Sequence, residues 1–79
     1  MEVNKIVTLL ERVKEEIPTR RKFTLRVECS GLTYEFKRED LFEIQLLPEA
    51  ATFEITFNNY DNEVIGIPYD RILNIKVIY

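Results

Sequence analysis

The chain has 79 residues and a net charge of −3, with one cysteine and no histidine or tryptophan. A chain this short forms a single domain, 1–79, that buries only about 60–65% of its unfolded surface, so its core is small. One cysteine, Cys29, excludes an intrachain disulfide and a thiolate zinc cluster, and the lack of histidine excludes imidazole catalysis, histidine ligation and a Ser-His-Asp triad.

The lone cysteine fits a reducing cytoplasm, which is the expected location. The opening MEVNKIV lacks the basic-then-apolar plan of a signal peptide, and no apolar run approaches the roughly 18 residues that span a bilayer. Abundant Ile, Glu and Lys suit a thermophile. The charge is uneven: residues 1–40 hold nine Lys/Arg and eight Asp/Glu, whereas residues 41–79 hold two and six.

Val3, Ile6, Val7, Leu10, Val13 and Ile17 recur at three- and four-residue steps, which predicts an amphipathic helix over about residues 3–17. Pro18 stops it, and Arg20 to Lys22 follow its negative end. From Phe23 the period becomes two, predicting strands at 23–29 and 32–37 around Ser30-Gly31. A two-residue turn sets Cys29 opposite Leu32, Val27 opposite Tyr34 and Arg26 opposite Glu35, with an Arg–Glu cross-strand pair on the outer face. Further strands are expected at 41–47, 52–57, 63–68 and 72–78.

The segments YEFKREDLFEIQLL and VIGIPYDRILNIKVI align without gaps when Phe36 is set on Ile67. Leu41 then meets Ile72 and Ile44 meets Ile75, so each copy reads as a strand end, a polar corner, an apolar anchor and another strand. Asp70-Arg71 occupies a corner in this reading, facing water. The last strand, ILNIKVIY, has only Asn74 and Lys76 as polar positions and reads as covered on both faces, with Lys76 the one guard against edge pairing. A homodimer through this C-terminal strand would supply that cover; the rival is a sheet curled into a barrel.

The fold class expected is α+β: the helix packed on a curved antiparallel sheet of five or six strands, with a partly open small barrel as one shape such a sheet takes. Chemistry is sparse. Cys29 lies on an apolar face, and Glu39/Asp40 and Asp61/Glu63 are ordinary loop carboxylates, so no catalytic residue, metal or cofactor is expected and the chain reads as a non-enzyme. The sharper signal is basic. Arg20, Arg21 and Lys22 precede Phe23, Arg26 and Lys37 extend along the outer face of the first hairpin, and Tyr69 stands near Arg71. Cations beside aromatic rings suit phosphate contact with base stacking. The plainer readings are a solvated helix end for the cations and core positions for Phe23 and Tyr69.

The opening helix, charged hairpin and closing IPYDRILNI resemble a small archaeal family described as RNA-repair or RNA cyclic-group-end recognition domains. That family closes on Ile-Pro-x-His-Arg-Ile with a further Ile; Ile67, Pro68, Arg71, Ile72 and Ile75 match, and Asp70 stands at the His position. The family's Trp after the helix and its aromatic-Asp-Arg-Gly hairpin are not present. The resemblance implies a non-catalytic RNA-binding module for phosphorylated RNA ends, with Arg71 as the polar residue it carries over. The alternative is a protein-interaction or homo-oligomerisation module with no nucleic-acid role.

Overall fold

A computed structural model describes residues 2–79. Helix α1 (Val3–Glu16) ends where Ile17–Thr19 tightens into a 3-10 turn, because Pro18 cannot continue the α-helical ladder. Six strands follow: β1 (Thr24–Cys29), β2 (Leu32–Lys37), β3 (Leu41–Leu47), β4 (Thr52–Phe57), β5 (Val64–Pro68) and β6 (Ile72–Ile78). All pairings are antiparallel. The expected single sheet of five or six strands is instead two three-stranded sheets, ordered β2-β1-β6 and β3-β4-β5, which do not close into a barrel.

The split has a local cause. Arg38–Asp40 and Tyr69–Arg71 each form a 3-10 turn, so β2 runs into β3 and β5 into β6 only after the extended backbone is interrupted. Each continuous stretch therefore leaves one sheet and enters the other, as strands do at the corners of packed sheets. Behind each corner lies the anchor anticipated from the sequence: Leu41 and Ile72 are 4% and 3% exposed. The two sheets and α1 enclose one core, to which the helix contributes Ile6, Leu10 and Val13 and the sheets contribute Leu25, Val27, Ile44, Phe53 and Ile55.

The sequence echo is matched in three dimensions. β1-β2-β3 and β4-β5-β6 take equivalent places, each half lending its last strand to the other half's sheet. The backbone N–H of Arg38 donates to Phe23 O (3.0 Å), and that of Tyr69 donates to Ala51 O (2.8 Å), at corresponding points. Each corner is followed by a bulge: Leu41 pairs Phe57 and Glu43 pairs Thr56, skipping Phe42, while Ile72 pairs Cys29 and Asn74 pairs Glu28, skipping Leu73. A bulge leaves its extra residue outside the ladder. Phe42 and Leu73 are accordingly 59% and 66% exposed. Within one chain β6 is covered on one face only: Ile72 and Ile75 are buried, but Leu73 and Ile78 face outward. The first hairpin has the anticipated register, with Arg26 opposite Glu35, yet no ion pair joins them.

The corner geometry separates inside from outside sharply. Ile72→Ala should lower stability by about 2–5 kcal/mol, as buried large-to-small changes do, and Leu41→Ala should act similarly. Asp70 is exposed and carries no side-chain hydrogen bond, so Asp70→Ala should change the melting temperature little. Thermal or urea unfolding of the three variants checks the ranking.

Candidate nucleic-acid interface

The helix end sets the first part of the site. Thr19 Oγ1 donates to Glu16 O (2.6 Å) and accepts from Arg21 N (3.4 Å), tying the turn to α1. Arg20 then adopts left-handed backbone (φ 64°), which redirects the chain into β1. Arg21 lies over the Tyr79 ring, its guanidinium carbon 4.1 Å from the centroid, and reaches Glu16 Oε1 at 3.8 Å. The Tyr79 hydroxyl lies 2.9 and 3.0 Å from the two oxygens of that carboxylate, to which it donates. An aromatic ring that is 61% exposed is thereby fixed by a cation on its face and an acceptor at its tip.

The second part comes from sheet register. Thr24 pairs with Lys37 on one side and Ile78 on the other. The preceding residue, Phe23, receives the Arg38 N–H at its carbonyl, so Lys22 and Arg38 meet at the same end of the sheet. Lys22, Lys37, Arg38, Glu39 and Tyr79 line an open cleft of about 580 Å3, floored by Phe23, Thr24 and Ile78. Arg38 is half-buried and its Nε has no partner. Among the described residues the only ion pair is Arg21–Glu16, so Lys22, Lys37 and Arg38 stand without carboxylate partners. Three unneutralised cations converge on this end although the whole chain is acidic.

The basic residues singled out from the sequence are thus divided. Lys22 and Lys37 line the cleft and Arg21 braces its ring. Arg26 lies two residues further along the outer face of β1, half-buried, with its Nε unpartnered. Arg20 is exposed at the turn and does not line the cleft. Tyr69 is not a surface ring: it is 4% exposed and stacked on Phe53, centroids 6.3 Å apart, with no partner for its hydroxyl. Arg71 lines a separate crevice of about 80 Å3 with Cys29, Gly66 and Pro68. That crevice is at the far end of β1, about 17 Å from Thr24 at the rise of an extended strand. Phe23, a candidate base-stacking ring, is buried beneath the cleft.

Arg38 and Tyr79 were absent from the sequence-derived site. Arg38 sits on a corner, and only the β1–β2 ladder brings it to Lys22. Tyr79 reaches the same place only through pairing of β6 with β1, a partnership that hydrophobic alternation does not specify.

Among the described residues, three groups have displaced acidities. The Tyr79 hydroxyl is pushed up chiefly by its hydrogen bond to Glu16, then by burial and the Glu16 charge, against Arg21 and Arg12. Burial pushes the Tyr69 hydroxyl up. Burial also raises the Cys29 thiol, with Arg71 pulling the other way. No helix among the described residues is long and apolar enough to cross a membrane. Comparison with protein-family models, with curated proteins and with solved structures finds no match to this chain.

The Tyr79–Glu16 contact has a definite pH signature. Its phenol pKa is raised in the fold, so the contact is present below the ordinary tyrosine value of 10.0 and is lost as pH rises through the higher folded value. In a spectrophotometric tyrosinate titration, Tyr79→Phe should remove one late-titrating phenol. Glu16→Gln should move that phenol toward its ordinary range.

Proposed function

We propose that the protein is a non-catalytic RNA-binding module whose cleft takes a phosphorylated RNA end. The observation that carries this reading is the convergence of Lys22, Lys37 and Arg38, all without ion-pair partners, beside the braced and exposed ring of Tyr79. The cations take the phosphate, Arg38 as a fork and the lysines as point charges. Tyr79 offers a stacking surface, a contact worth about 1–3 kcal/mol per base in single-strand binders. Glu39, at the cleft wall, suits a ribose hydroxyl rather than a phosphate, since a carboxylate only accepts. The resemblance to archaeal RNA-end recognition domains supports the same ligand class. Arg71, the residue carried over from that family's closing motif, lies outside the cleft, so the contacts proposed here are different ones.

The test is a titration of short RNAs ending in a 3′-phosphate, a 2′,3′-cyclic phosphate or a hydroxyl. Phosphorylated ends should bind most tightly, and the affinity should fall as salt rises, because the bound cations displace counterions from the phosphates. Replacing Lys22, Lys37 and Arg38 by Ala should abolish binding and leave the melting temperature nearly unchanged. Arg21→Ala should weaken binding less, by freeing the Tyr79 ring. Absence of binding to every end type at low salt overturns the proposal.

A second reading, a homodimer through β6, draws on the outward placement of Leu73 and Ile78 on a sheet-edge strand, with exposed Tyr79 just beyond its end. The two readings compete for the same surface, because Ile78 and Tyr79 also line the cleft. Light scattering at micromolar concentration should show a dimer that phosphorylated RNA dissociates. A monomer well above that range rules the dimer out.

A further inference from the structure

The cleft opens directly onto the outer face of the β2-β1-β6 sheet, where the charges lie in ordered cross-strand rows. The row at the cleft is Lys37–Thr24–Ile78. The next is Glu35–Arg26–Lys76, and the third is Thr33–Glu28–Asn74. Side-chain alternation puts all three rows outward, since Leu25, Val27 and Ile75 are buried between them. The second row carries two cations, neither of them in an ion pair despite Glu35 opposite Arg26. Arg26 is half-buried, which limits the freedom its head loses on meeting an anion. In the third row the basic character stops: Asn74 Nδ2 donates to Glu28 Oε2 at 3.0 Å, which fixes a carboxylate there.

From these rows, and resting on the RNA-end reading above, we infer that the ligand is single-stranded and engages through two successive phosphates. The terminal one sits in the cleft and the preceding one sits on Arg26 and Lys76. Two residues along β1 cover about 7 Å, a step that one nucleotide of an extended strand spans. Glu28 then repels a third phosphate, so the site is short. A paired end fits poorly, because Tyr79 needs the open face of an unstacked base.

The test compares a uridine 3′-monophosphate, the dinucleotide UpUp and the trinucleotide UpUpUp, all ending in 3′-phosphate, by calorimetry or competition at low salt. UpUp should bind at least about tenfold more tightly than the mononucleotide, as added charge-assisted contacts to Arg26 and Lys76 allow. UpUpUp should gain little more. Lys76→Ala, at an exposed position, and Arg26→Met, which keeps the apolar stem, should each erase much of that gain and leave mononucleotide binding unchanged. A blunt duplex with the same end should bind several-fold more weakly than the single strand. If mononucleotide and dinucleotide bind alike, or if the two variants weaken both equally, the second phosphate site is wrong while the cleft stands. Equal binding of the duplex overturns the single-strand assignment. If no ligand binds, or if the Lys22, Lys37 and Arg38 replacements have no effect on any of them, the RNA-end reading itself falls and the second site falls with it.

Discussion

Everything in this fold depends on bending a sheet sharply enough to cover itself. A chain of 79 residues has one helix to spare, and one helix cannot hide the apolar face of six strands. The two 3-10 corners solve this by passing the chain from one sheet to the other, and Leu41 and Ile72 hold the corners down from inside. Because the corners occur at matching points of two similar halves, the strands interlock: β3 completes the sheet of β4, and β6 completes the sheet of β1. The helix closes what remains with Ile6, Leu10 and Val13.

The same corners create the site. Turning out of β2 at Arg38 leaves a guanidinium at the sheet's end, next to Lys22 and Lys37. The corresponding position in the second half is Tyr69, which folds inward against Phe53. One backbone geometry thus carries a surface cation in one half and a core ring in the other. The difference follows side-chain chemistry: an aromatic ring gains from burial even though the Tyr69 hydroxyl is left without a partner, whereas full burial of a charged guanidinium is costly, and Arg38 stays half-buried.

Much of the secondary structure was legible because each strand alternates cleanly and each corner is polar. The boundaries at 32–37, 41–47, 52–57 and 72–78 coincide with those of the structure, and the helix differs only where Ile17 turns to 3-10 geometry. What alternation could not convey was partnership. It shows which face of a strand is apolar but not which strand lies beside it, so two interlocked sheets and one curved sheet look alike in sequence. Bulged Phe42 and Leu73 defeat it as well, since one unpaired residue shifts the period and large apolar side chains end up outside. The site was half legible for the same reason. Arg21 and Lys22 stood out as cations beside Phe23, and Lys37 as an extension of that patch along the first hairpin, but Tyr79 joins them only through β6, and Arg71 is carried to the opposite end of β1.

The pairing of β1 with β6 has a consequence for how the molecule assembles. The β3-β4-β5 meander joins strands that follow one another in the chain, whereas Thr24 must find Ile78 across most of it. Contacts of such long sequence separation carry a large loop-closure cost and tend to form late. The cleft is made from both ends of that pairing, so no partly folded chain lacking it can present Lys22 and Tyr79 together. A molecule seated there grips the closing seam of the fold, and it acts as a clasp: bound protein should unfold in denaturant more slowly than free protein, because release of the seam then requires release of the ligand first.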